Sequence, residues 1–415
     1  LTLFREEHRL SVQNAAPEGQ DDGVFHRPDP LTGLLRHGDF LAHLARACSE
    51  CERFSLALLH VDMARRDGES SGAIQPMTQP EHIMAQVADL ARSVCGRKVL
   101  GGRFGLNSLI FFHPDLEAEP LRELYEKLCA DIASRLGVRA GVGLACWPFL
   151  DLRPSDMIEG ARKALEYALL LPAPHIGQFG SLALNISADK RHCRGDVFGA
   201  IEEYKLALLA DEDNVLAWNS LGVCLASLGR HAEARRFFEE AIQRTPDDPA
   251  LAYNLGAVCQ SLHDNEAAAE HFRTCIRLSP SHLYALIRLG QLDEAEERLE
   301  EARARFESAA ALDTGSPLPY RHLARLALRL GKADLAREHL HQALLRNPRD
   351  VAALSLMADL YLDGGEDPEL AESLARQSVA LRPEYRNGWL VLSRALEVQG
   401  RLSDAREALL KAGEL

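Results

Sequence analysis

A small residue recurs every 34 positions through the second half of this 415-residue chain: Ala200, Ala234, Ala268, Ala302 and Ala336. The same step carries a bulky residue four places later (Tyr204, Phe238, Phe272, Phe306, Leu340) and a small one seven places later (Ala207, Ala241, Cys275, Ala309, Ala343). Offsets of four and seven put these side chains on one face of a helix. A second helical pattern precedes each of several of them, carrying "WNSLG" from Trp218, "YNLG" from Tyr253, "IRLG" from Ile287 and "WLVLS" from Trp389. Small residues there let helices approach closely, and the bulky ones are expected to fill the hole in the next repeat. Pro246, Pro280, Pro348 and Pro383 close several units. A pair of helices cannot bury its apolar face alone, so such units must stack into a solenoid. The spacing predicts seven units starting near 181, 215, 249, 283, 317, 351 and 386, with one extra residue in the sixth around "DGGEDPEL".

This helix–turn–helix pattern resembles the tetratricopeptide repeat. The resemblance implies an all-α superhelix whose concave face, lined by the first helix of each unit, takes a protein or peptide partner. Positions 2, 5, 6, 9, 12 and 13 of each unit face that groove. In the fourth and fifth units they include Arg288, Arg321, His322, Arg325 and Arg329. Arg321, Arg325 and Arg329 share one helical stripe, where like charges repel and an acidic partner would relieve them. Asp359 and Asp363 of the sixth unit offer an internal alternative. Upstream, Asn219 and Asn254 fall on groove positions and could bond a peptide backbone.

The first 180 residues read differently. Residues 1–28, with "NAAPEGQDDG" and "HRPDP", make a lead-in or linker. From 29 to 180 helical and strand patterns alternate. "GDFLAHLARACSECE", "EHIMAQVADLARSV", "EPLRELYEKLCADIASRL" and "SDMIEGARKALEYALLL" have helical spacing, whereas "RFSLALLHVD", "KVLGGRFGLNSLIFF" and "VRAGVGLACW" read as strands. The alternation predicts an α/β or α+β domain on one main sheet. The expected fold class is therefore multidomain: an α/β domain over 29–180, then an all-α superhelix over 181–415.

Five segments, in order, resemble the GGDEF domain of diguanylate cyclases, which joins two GTP molecules into cyclic di-GMP. "DPLTGLLRHGDF" resembles the family's D-x-L-T-G-L opening, "FSLALLHVDMAR" the strand of D-x-D-x-F-K, and "RFGLNSLIFF" stands in place of R-x-G-G-D-E-F. "VRAGVGLACWP" and "ARKALEYAL" resemble the strand and helix that follow. The resemblance implies that two divalent cations would be held by carboxylates at positions here occupied by His60, Asn107 and Ser108. Asp62 survives, Arg65 replaces a lysine, and Gly105 remains, but the second glycine is Leu106, whose side chain is expected to intrude on the pocket. The guanine-reading position falls near Gly68, its acidic neighbour near Glu81, and the late lysine is Leu169. "GRKV" replaces the product-binding R-x-x-D. Hard cations want carboxylate oxygens, which imidazole, amide and hydroxyl do not supply. The domain is expected to be a non-enzymatic relic needing no cofactor or metal. Leu109 to Phe112 read as core strand residues.

Bulk properties agree. The net charge of −14 disfavours nucleic acid, and no apolar run reaches the length of a membrane span. Nine irregularly spaced cysteines suggest reduced thiols, and "CSEC" (Cys48 to Cys51) lacks a second ligand pair for zinc. The expectation is a cytoplasmic bacterial scaffold that recruits a protein partner. The alternatives are a sensor that binds GTP or cyclic di-GMP without turnover, or a cyclase with unusual ligands.

Overall fold

The computed structural model describes residues 28–66, 80–96, 98–312 and 314–414. Residues 1–27 of the lead-in, Gly68 and Arg97 lie outside the described residues, as does the side chain of Arg65. The chain divides into two compact units, Leu1–Leu228 and Gly229–Leu415.

The first unit contains α1 (His37–Glu50), β1 (Phe54–Arg66), α2 (Pro80–Cys95), β2 (Leu100–Gly105), β3 (Ser108–Pro114), α3 (Ala118–Leu136), β4 (Val138–Trp147), α4 (Met157–Ala168) and β5 (Ile176–Gln178). The expected segments fold as expected. β5 was not anticipated, because three residues are too few to show a period. The strands form one sheet in the order β2-β3-β1-β4-β5. All pairings are antiparallel except β4 with β5.

Helices cover both faces of this sheet, so β1 is buried on both sides and its sequence is apolar almost throughout. Ala57, Leu59 and Val61 join the core with α2 and α3. Phe54, Leu56 and Leu58 join the other, with α1 and α4. Gly143 on β4 lets α4 lie directly against the sheet: a Cβ there would stand 2.0 Å from the Ala161 carbonyl oxygen.

Three repeat helices also belong to this unit: α5 (Ser181–Cys193), α6 (Val197–Ala210) and α7 (Val215–Ser227). The boundary expected at 180 therefore falls inside a compact unit. The reason is packing: Ala183, Leu184, Ala207 and Ala217 share one core with Phe40, Met157 and Phe179. Buried charges add to the join, with Glu203 Oε1 accepting from Lys163 Nζ at 3.0 Å and from Arg191 Nε at 2.5 Å.

The second unit opens with α8 (His231–Arg244). Five helix pairs follow: α9 (Pro249–Ser261) with α10 (Asn265–Leu278), α11 (Leu283–Ala295) with α12 (Leu299–Ala311), α13 (Leu318–Arg329) with α14 (Ala333–Arg346), α15 (Val351–Asp363) with α16 (Pro368–Leu381), and α17 (Arg386–Val398) with α18 (Leu402–Gly413). Among the described residues the helices start where the period places the seven units. The periodic alanines, aromatics and Cys275 are all buried. One expectation is corrected. Phe306 fills a hole in its own repeat, since a Cβ on Gly290 would lie 2.6 Å from its ring, and it also stacks on His322 of the next unit at 4.9 Å. Phe272 fits Gly256 in the same way, at 2.8 Å.

Candidate functional site

Two places gather polar side chains, one in each unit. In the first, β1 and β3 pair so that His60 stands opposite Ser108. The alternation along β1 carries His60 onto the Leu56 and Leu58 face, where it is half-buried. Its Nδ1 lies 3.0 Å from the Ser108 hydroxyl. Burial lowers the pKa of this imidazole, with Asp62 opposing, so the ring is neutral at pH 7. Val61 donates its N–H to the Asn107 carbonyl at 2.9 Å, tying β1 to the hairpin turn. Asp62 sits opposite Arg139 in the β1–β4 ladder. Gly105 pairs with Ser108 where the hairpin turns. Leu106 is 83% exposed at the tip and joins no core. Both turn positions lie beyond the last ladder pair, where a side chain meets water rather than a facing strand. Leu169 is also exposed, and Leu109 to Phe112 are buried core, as read from the sequence.

The opening segment meets this hairpin. Asp29 accepts from the Thr32 N–H and hydroxyl, both at 2.9 Å, and its other oxygen takes Arg103 Nη1 at 3.1 Å. Burial works to raise the Asp29 pKa, but the Thr32 and Arg103 donors outweigh it and hold the carboxyl below its usual value. Among the described residues no group of three or more His, Cys, Asp or Glu side chains is placed to hold a metal ion. Burial, helped by Cys51, pushes the Cys48 thiol up to about 11, so it stays protonated at neutral pH.

The second place lies on the first helices of the fourth and fifth repeats, in the second unit. Arg321, His322, Arg325 and Arg329 come together there on α13. The arginines are not left facing one another. Arg321 Nη1 reaches Asp350 at 3.2 Å, Arg325 Nη2 reaches Glu294 at 3.0 Å, and Arg329 Nη2 reaches Glu297 at 2.9 Å. Arg329 also extends to Glu294 at 3.4 Å. The internal alternative is thus realised with other partners: Asp359 and Asp363 hold Arg394 instead. Glu294 and Asp350 are buried. Asp350 also caps α15, accepting from the Ala353 N–H at 2.8 Å.

His322 lies at the centre of this face, buried and stacked on Phe306. Its Nδ1 lies 3.4 Å from Arg325 Nη2 and its Nε2 lies 3.3 Å from the Gln291 amide nitrogen; both neighbours are donors, which disfavours a doubly protonated ring. Burial first, then Arg325 and Arg321, push its pKa down to about 4; Glu294 opposes and Arg288 adds to the depression. Arg288 itself is exposed and has no ion pair among the described residues. Asn254 lies half-buried on α9, and Asn219 lies half-buried on α7 in the other unit.

The sequence reading missed Glu294, Glu297 and Asp350. A signal existed: these carboxylates stand 29 to 35 residues from their arginines, about one repeat away. The same offset of 29 links Arg235 with Asp264 and Arg337 with Glu366.

Comparison with known proteins bears on the helical half. Tetratricopeptide repeat profiles match residues 213–281, 293–360, and 254–317 together with 357–414. The human "Protein O-mannosyl-transferase TMTC3" is 25% identical over 230 residues, half of this chain and 25% of that protein. The "Peroxisomal targeting signal receptor" of Candida albicans is 34% identical over 94 residues, 21% of this chain and 16% of that protein. The chain spans a quarter or less of the length of these curated relatives. A solved tetratricopeptide repeat protein from Parabacteroides merdae, 19% identical, aligns over 56% of this chain and 92% of its own with a TM-score of 0.47. Among the described residues no helix is long and apolar enough to cross a membrane. Residues 213–414, a helix-pair array built on a 34-residue period, are tetratricopeptide repeats.

Proposed function

We propose that this chain is a non-catalytic scaffold: its repeats recruit a protein partner on the first-helix face, and its N-terminal domain is a cyclase-like relic without chemistry. The observation that carries the recruiting role is the repeat array itself, a fold that generally mediates protein–protein interaction. An acidic segment of the partner would meet Arg288, which makes no ion pair among the described residues and acts on His322 together with Arg325. The cyclase-like reading draws support from the meeting of its motif segments, since Asp29 of the opening stretch, itself held by Thr32, binds Arg103 beside the hairpin turn. The loss of chemistry draws support from His60 and Ser108, which bond to each other where carboxylates would be needed. Nine free cysteines suit a reducing compartment such as a bacterial cytoplasm.

Two measurements test this. The full chain incubated with GTP and magnesium should yield no cyclic di-GMP, and product in proportion to protein would refute the relic. Titration calorimetry with GTP or cyclic di-GMP should give no heat of binding; saturable heat would favour a sensor instead. For the partner, affinity capture with the full chain should depend on Arg288, with Arg288→Ala reducing recovery at low salt. Equal recovery would remove that residue from the account.

A further inference from the structure

The sequence directs attention to the arginines of repeats four and five, yet a cavity on the first-helix face opens further along, between repeats six and seven. Its volume is about 230 Å³, and it is lined by groove positions of α15 and α17. Leu356, Leu390 and Val391 supply its apolar surface, while Asp359, Asn387 and Arg394 supply polar groups. Small-molecule sites usually span roughly 300–1,000 Å³, so this space suits one side chain better than a whole ligand.

Charge narrows the occupant. Arg394 is held by both Asp359 and Asp363. Helices α15 and α17 together carry Asp359, Asp363 and Glu397 against Arg386 and Arg394, which leaves one carboxylate in excess. The first helices of repeats four and five have the opposite balance, with Arg288, Arg321, Arg325 and Arg329 against Asp293 and Glu294. Burial raises the pKa of Asp359 and Asp363 adds to the rise, while Arg394 opposes it; a second cation at the rim would relieve that carboxylate. Asn387 is exposed and makes no hydrogen bond among the described residues, so its amide is available to a peptide backbone.

We infer that the cavity between α15 and α17 docks a partner segment in which one apolar side chain lies beside a lysine or arginine. The apolar chain enters between Leu356, Leu390 and Val391. The cation meets Asp359 and Asp363, and Asn387 bonds the backbone next to it. This inference rests on the recruiting role proposed above and gives the bound segment a direction: acidic toward repeats four and five, apolar and basic toward repeats six and seven.

The experiment uses the full chain, immobilised and panned with a phage library of random dodecapeptides. Enriched sequences are synthesised with a fluorescent label and their affinity is read by anisotropy. The expected motif is Leu, Ile, Met or Phe within two positions of Lys or Arg. Changing that apolar residue to Gly should weaken binding about tenfold or more. Asn387→Ala, on an exposed side chain, should weaken it about fivefold with the melting temperature unchanged, and Asp359→Asn should weaken it by a similar factor while Asp363 still holds Arg394. Enriched peptides without the motif, or peptides insensitive to both substitutions, overturn the inference while leaving recruitment intact. If no peptide is enriched on the full chain, the recruiting role fails with it.

Discussion

His322 shows how much one side chain depends on its setting. Folded, it binds no proton until the pH falls to about 4; unfolded, an ordinary histidine binds one below 6.5. Between those values the unfolded state holds more protons, so stability falls as pH drops through that window. The loss has a ceiling of about 3.5 kcal/mol, counting about 1.4 kcal/mol for each pH unit. Urea unfolding at pH 7 and pH 5 should show the drop in the native chain and a smaller one in His322→Gln; equal slopes would refute the assignment. Arg321 tests the neighbouring ion pair. Asp350 is buried, so Arg321→Ala leaves its carboxylate with only the helix-capping contact. The expected cost is about 1–3 kcal/mol in the same assay, and no change would mean that the pair is idle.

Among the elements, the first helix of each repeat is shaped by the second. Gly290 and Gly256 exist where a phenylalanine ring of the paired helix comes too close for a Cβ. Gly290→Ala should therefore cost about 1–3 kcal/mol by overpacking. Phe306→Leu made together with it should recover part of that loss, because the smaller side chain vacates the contested space. A double mutant no better than the sum of the singles would place the strain elsewhere. The ring's second contact, on His322, joins adjacent repeats, and the 29-residue ion pairs do the same along other faces. In the last repeat the corresponding residue, Leu409, is 49% exposed, whereas Phe306 is fully buried.

For the whole molecule, the division at 228 rather than 180 makes a prediction about truncation. Residues 229–415 expressed alone should be helical and unfold cooperatively, since neighbour contacts within the array stabilise it. A chain starting at 181 carries α5 and α6 without the sheet domain that buries Ala183, Leu184 and Ala207. Limited proteolysis should then cut within 181–228 before the rest. Protection of that segment equal to that in the full chain would show that the helices need no sheet beside them.

Much was legible without coordinates, and the limit has a physical cause. The 34-residue period placed the starts of seven units and their buried alanines and aromatics, because a period is local and each unit solves the same packing problem. The near-continuous apolar run in "RFSLALLHVD" likewise marked a buried strand. The exposed placement of Leu106 was not legible, since whether a hairpin tip meets solvent or a pocket depends on what faces it across space. Nor were the partners of Arg321, Arg325 and Arg329. Which carboxylate a guanidinium reaches is set by the rise and rotation from one repeat to the next, and the tertiary stack chose Asp350, Glu294 and Glu297 over Asp359 and Asp363. The sequence alone determined the repeating unit and the faces it must bury; the stacking of units decided which charges meet and where a cavity is left open.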